Sequence, residues 1–190
     1  MAQAATIGRT FGPYGEEPVL LVIDVQNGVV ANAWDRDGVL ERLATLIERA
    51  RTDGVPVVYV QHEADHLQPG TEPWKIHERI APADGEPVVA KRYGDAFVET
   101  TLPETLAKLE AGHLYIAGAQ TDACIRATTH RAMGLGYDVT LISDCHTTDD
   151  FDWDGVQVSA AQLVGHLNLA IQYSEYPGQV IRAVSHTEIH

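Results

Sequence analysis

Apolar and polar positions alternate along this chain with two periods. "PVLLVIDVQ" (18–26) is a continuous apolar run rich in branched side chains, the pattern of a strand buried on both faces of a parallel sheet. In "DGVLERLATLIERARTDG", Val39, Leu40, Leu43, Leu46 and Ile47 recur at helical spacing, and Gly54 marks the stop. The alternation then repeats. "PVVYVQH" (56–62), "PVVAK" (87–91), "LYIAGA" (114–119), "YDVTLISDC" (137–145) and "QVIRAV" (179–184) read as strands two to six. "TTLPETLAKLEAGH", ending at Gly112, "DACIRATTHRAMGLG" and "SAAQLVGHLNLAIQY" read as further helices. Strands alternating with helices imply right-handed βαβ crossovers and an α/β fold, a parallel sheet with helices on both faces.

Between strands two and three, positions 63–86 hold Pro69, Gly70, Pro73, Pro82 and Gly85 and read as a long loop. A loop of that length inside a compact domain is usually functional. Residues 1–15 read as a loose N-terminal segment. Without a repeat, linker or low-complexity tract, 1–190 reads as a single domain.

Composition narrows the partners. The 190 residues are 45% hydrophobic and 21% charged, with a formal net charge of −14. That charge argues against nucleic acid and anionic membrane, which both demand a basic face. The N-terminus has no apolar signal core, and no run approaches the ~18 apolar residues of a membrane span. Two cysteines, Cys124 and Cys145, make no disulfide framework. The chain is expected to be cytoplasmic.

In an open parallel sheet the ligand site lies beyond the carboxyl ends of the strands. Those ends carry Asp24 and Gln26, then His62, then Lys91, then Cys124 just past the fourth strand, and finally Asp144, Cys145 and His146. "AGAQTDAC" places Cys124 at the start of a helix, where backbone N–H groups and the helix dipole lower a thiol pKa and can receive an oxyanion. By itself this leaves two readings open, because a lone cysteine is commonly a small buried hydrophobe.

"LLVIDVQNGVV", "VVAKRYGDAF" and "LYIAGAQTDACIRATTHRAMGLGYDVTLISD" together resemble the isochorismatase-like cysteine hydrolase superfamily, over about 18–184. The resemblance implies a Rossmann-like three-layer sandwich with strand order 3-2-1-4-5-6. It implies Asp24 as general base, Lys91 as its partner keeping it ionised, and Cys124 as nucleophile. The family's cis peptide falls at Ala119–Gln120, and the backbone N–H groups of Gln120 and Cys124 are the implied oxyanion hole. Members are commonly homo-oligomers, and Leu163, Leu167 and Ile171 offer a helical stripe that serves either an interface or the chain's own core.

The true isochorismate-cleaving members generally lack the cysteine, so its presence favours hydrolysis of a C–N bond in a small amide, lactam or ureido compound. "SDCHTTDD" looks most like the streptothricin-hydrolase-like amidases. Substrate contacts are expected from Gln26, Trp34, His62, Trp74, Tyr93 and Phe97, an aromatic wall with polar anchors suited to a small molecule. No cofactor is expected. The segment "QHEADHLQPGTEPWKIH" holds His62, Asp65, His66 and His77 without the metal pattern of nicotinamidases, so no metal is expected there, although these side chains are competent ligands. Cys145 is expected to serve packing. The alternatives are a vinyl-ether hydrolase and a non-catalytic binding protein on the same fold. A nucleotide-binding domain is disfavoured, since the first strand–helix turn has no G-x-G-x-x-G.

Overall fold

The branched apolar run forms β1 (Glu17–Ile23), buried from Val19 onward. The computed structural model describes residues 13–189, so most of the expected loose segment lies outside the described residues. Tyr14 already donates its N–H to the Ala111 carbonyl at 3.0 Å. The chain continues through α1 (Arg36–Thr52), β2 (Val57–His62), β3 (Val88–Lys91), α2 (Leu102–Lys108), β4 (Ala111–Ala119) and α3 (Arg126–Leu135). It ends with β5 (Asp138–Thr147), β6 (Phe151–Trp153), β7 (Val156–Val158), α4 (Ala160–Gln172) and β8 (Ile181–Val184).

Six strands make one sheet in the order β3-β2-β1-β4-β5-β8, every neighbouring pair parallel. This is the expected 3-2-1-4-5-6 order, with the sixth strand eighth in the chain because β6 and β7 form a separate antiparallel hairpin. Successive side chains of a strand point to opposite faces, so β1 feeds two cores. Val19, Leu21 and Ile23 pack with Leu102 and Leu106 of α2, Ala132 and Met133 of α3, and Leu167 and Ile171 of α4. Leu20 and Val22 pack with Val39, Leu40, Leu43, Leu46 and Ile47 of α1.

One expectation needs correction. The helix after Thr100 is expected to end at Gly112, but it ends at Lys108, and β4 already begins at Ala111. Gly112 lies inside the strand. The 63–86 segment is the expected long loop, with one 3-10 turn at Glu78–Ile80, and the N–H groups of Asn27, Gly28 and His77 bond across to Lys75, Pro73 and Val25. Its middle is thereby laced onto the chain that leaves β1.

At one glycine the missing side chain shapes the site. Gly118 has φ 124°, and a Cβ there would stand 2.0 Å from the Ile23 carbonyl oxygen. The absent side chain lets β1 and β4 close up at the ends that carry Asp24 and the Cys124 turn.

Candidate active site

Four adjacent strands each deliver one side chain at their carboxyl ends: β3 Lys91, β2 His62, β1 Asp24 and, one turn beyond β4, Cys124. Asp24 follows β1 with φ 51°, a left-handed conformation that Asp tolerates better than most residues. On the edge strand β3 burial alternates, so Lys91 falls on the buried side with Val89. His62 and Lys91 are register partners across β2 and β3. Past β4 the Ala119–Gln120 peptide is cis. A π-helical turn, Thr121–Ile125, then carries Cys124 into α3.

Lys91 organises the group. Its Nζ lies 2.6 Å from Asp24 Oδ2, 2.9 Å from His62 Nδ1, 3.1 Å from the Tyr93 carbonyl oxygen and 3.1 Å from Cys124 Sγ. Asp24 and Lys91 are each 1% exposed. Asp24 Oδ1 has no hydrogen-bond partner among the described residues. Burial raises the Asp24 pKa, and the Lys91 ammonium only partly offsets it. Burial and the Asp24 charge push the Cys124 thiol up to about 11, again only partly offset by Lys91. A helix start lowers a thiol pKa and a neighbouring ammonium lowers that of a carboxylate, so both shifts run against expectation. Desolvation wins in both cases because the pair sits in the protein interior. The resting cysteine is a thiol, beside a carboxylate with raised proton affinity.

His62 is the neutral member. Burial and Lys91 hold its pKa down to about 4. Because Lys91 can only donate, His62 Nδ1 is the acceptor and Nε2 carries the ring hydrogen.

The other candidates divide. Gln26 is fully buried in a backbone bracket: its Oε1 accepts from His62 N at 2.8 Å, and its Nε2 donates to the carbonyls of His62 and Trp74 at 2.9 and 2.8 Å. Gln61 donates to the same Trp74 carbonyl at 2.8 Å. The Trp74 backbone is thus pinned above β1 and β2, and its indole Nε1 is buried without a partner among the described residues. Phe97 lies in the core with its ring centroid 6.0 Å from that of Tyr137. Tyr93 offers Lys91 its carbonyl and leaves its side chain half exposed. Trp34, also exposed, borders a cavity of about 390 Å³ with Asn32, Asp149 and Asp150. Gln120 Nε2 donates to Asp149 Oδ2 at 3.1 Å, joining that cavity to the turn that carries Cys124.

Among the described residues, only two groupings bring three metal-competent atoms together: Asp24, His62 and Cys124, and Asp144, Cys145 and His186. The first is centred on the Lys91 ammonium. In the second His186 Nδ1 already pairs with Asp144 Oδ2 at 2.7 Å, and Arg42 donates to the Asp144 carbonyl. Asp65, His66 and His77 join neither grouping.

The isochorismatase domain model matches residues 18–167. The chain belongs to the isochorismatase domain family. It is 35% identical over 137 residues to a streptothricin hydrolase of Streptomyces noursei, covering 69% of this chain and 50% of that protein. It is 30% identical over 155 residues to an N-carbamoylsarcosine amidase of an Arthrobacter species, covering 65% and 57%. The chain therefore spans about half the length of these two relatives. A solved isochorismatase hydrolase of Oleispira antarctica superposes with a TM-score of 0.79 at 31% identity, over 91% of this chain and 95% of that one. As an isochorismatase-family hydrolase, the chain has no helix among its described residues long and apolar enough to cross a membrane.

Thr121, His146 and Asn168 lie behind the turn that carries Cys124 and are joined by side-chain contacts between positions 22 to 25 residues apart, a separation no local motif encodes.

Proposed function

We propose that the protein hydrolyses a carbon–nitrogen bond in a small amide, lactam or ureido compound through a thioester at Cys124. The observation that carries this is the buried Lys91 ammonium touching both the Asp24 carboxylate and the Cys124 sulfur. As Sγ attacks the carbonyl carbon, the thiol proton passes to Asp24, whose raised pKa suits a base. The carbonyl oxygen gains the charge and is received by the backbone N–H groups of Gln120 and Cys124. Asp24 then gives its proton to the nitrogen as the C–N bond breaks, because an amide anion is a very poor leaving group. Water enters, loses a proton to Asp24 and attacks the thioester. Collapse releases the acid and returns the proton to sulfur. Lys91 stays cationic throughout and balances each negative charge in turn.

The names of the N-carbamoylsarcosine amidase and the streptothricin hydrolase support this reaction class over vinyl-ether cleavage. The deciding experiment is a screen of small primary amides, lactams and ureido compounds for amine or ammonia release. It is followed by mass spectrometry of protein quenched during turnover. An acyl adduct on Cys124 is expected; full turnover with Cys124 alkylated overturns the mechanism. The expected homo-oligomer is measurable by light scattering; of the α4 stripe, Leu167 and Ile171 pack into the chain's own core and Leu163 is half-buried.

A further inference from the structure

Behind the nucleophile turn lies a polar chain that the mechanism does not use. His146, at the end of β5, is 1% exposed. Its Nδ1 lies 2.9 Å from Thr121 Oγ1 and its Nε2 lies 2.9 Å from Asn168 Oδ1. Asn168, on α4, donates through Nδ2 to the Ser143 carbonyl at 2.8 Å.

The hydrogens in this chain are fixed by elimination. A backbone carbonyl only accepts, so the Asn168 amide must present Nδ2 to Ser143 and Oδ1 to the histidine. His146 Nε2 must therefore carry the ring hydrogen and donate it. That leaves Nδ1 as an acceptor, and its only donor in this contact is the Thr121 hydroxyl. Burial holds the ring neutral by lowering its pKa to about 4, so the assignment persists at ordinary pH. The result is a directional relay, Thr121 to His146 to Asn168 to Ser143, running from the nucleophile turn to β5 and α4.

Thr121 opens the turn that carries Cys124. Inside that turn the N–H groups of Ala123 and Ile125 both close onto one oxygen, the Gln120 carbonyl, at 3.1 Å each. π turns are rare and occur mostly as single turns within α-helices. The side-chain bond from Thr121 supplies a fixed point outside the turn.

We infer that His146 is a positioning residue: through Thr121 it fixes the π turn that sets Cys124 Sγ against Lys91 and Asp24. This rests on the reading of Cys124 as the nucleophile. The test uses the full chain carrying Cys145→Ala, so that one thiol remains. It measures the iodoacetamide alkylation rate of Cys124, and kcat and KM on the amide the screen identifies.

Thr121→Val is expected to slow both alkylation and kcat about tenfold, with KM within about twofold. Thr121→Ser, which keeps the hydroxyl, is expected to restore both. His146→Asn places an acceptor near the Nδ1 position, while His146→Gln keeps only the Asn168 partner, so Asn is expected to retain more alkylation and turnover than Gln. The double variant Thr121→Val/His146→Phe is expected to be no slower than the slower single variant, because both act through one contact.

The proposal is overturned if folded Thr121→Val alkylates within about twofold of the parent, or if Thr121→Ser is as slow as Thr121→Val. If Thr121→Val does not fold, the order of Asn and Gln at position 146 decides, and equal rates overturn it. Failure of the catalytic reading is separate: it shows as turnover surviving in Cys124→Ala and leaves the alkylation comparison intact.

Discussion

The two cysteines of this chain both lose water on folding but keep different company. Cys145 is fully buried among the apolar residues that α1 packs onto the sheet, and burial drives its thiol pKa up. Cys124 is partly buried, and its pKa also rises, to about 11. Each sulfur also has a carboxylate nearby, Asp144 for Cys145 and Asp24 for Cys124. What separates them is the ammonium: Lys91 Nζ stands 3.1 Å from Cys124 Sγ and 2.6 Å from Asp24, whereas Asp144 is already paired with His186. In the proposed reaction the Cys124 thiol loses its proton to a neighbouring base as it attacks.

The largest expected effect breaks that contrast outright. Cys124→Ala is expected to lower turnover by on the order of a thousandfold or more while circular dichroism stays native. Cys145→Ala is expected to keep turnover within about twofold and to cost only about 1 kcal/mol of stability in urea, as small buried truncations do. Equal losses from the two would erase the distinction.

Lys91→Met tests the company directly. It removes the charge and leaves Asp24 buried and unpaired, so unfolding free energy is expected to fall by about 3–5 kcal/mol, with turnover lost as well. Survival of turnover in a folded Lys91→Met protein would mean that the cysteine works without the ammonium.

Alkylation sharpens the comparison further. Labelling of Cys124 by iodoacetamide is expected to be slow at pH 7 and to climb as pH approaches about 11. Cys145 is expected to label only on unfolding. A plateau already reached near pH 7 would show that the sulfur is ionised at rest.

The smallest expected effect concerns acid. His146 is pushed down to about 4 in the fold against an ordinary value near 6.5. The unfolded chain then binds the proton more readily, so this contribution is complete above about pH 6.5 and is lost as pH falls towards 4. Urea unfolding is expected to weaken across that window by on the order of a few kcal/mol at most, and less in His146→Asn. An unchanged slope in that variant would place the loss elsewhere.

Much of this architecture is written locally. The run at 18–26 became β1 because branched apolar residues on both faces have no place except inside a parallel sheet. Ser159 closed a capping box with Gln162 at the start of α4. The hairpin of β6 and β7 was not read from the sequence, although "FDWDGVQV" alternates around Asp154-Gly155, both with positive φ, the signature of a two-residue turn. Its three-residue strands are short, and the surrounding charges hid it.

The site divides along the same line. Asp24, Lys91 and Cys124 lie at strand ends, where fold rules direct attention. Gln26 carries a motif position yet braces backbone, and Phe97 belongs to the core. Only the packed structure distinguishes an amide that meets a ligand from one that meets a carbonyl. The pKa of Cys124 was misjudged from sequence because a helix dipole can be inferred from position, whereas loss of water cannot.

One count at the centre of the site has a further consequence. The Lys91 ammonium carries three hydrogens and faces four acceptors: a carboxylate, an imidazole nitrogen, a carbonyl and a sulfur. One of them always goes short. The deficit can pass from one acceptor to the next by rotation about a single C–N bond, with no heavy atom travelling. In the proposed reaction negative charge shifts between the carboxylate of Asp24 and the sulfur of Cys124, and the ammonium can follow it like a swivel while the scaffold around it stays still.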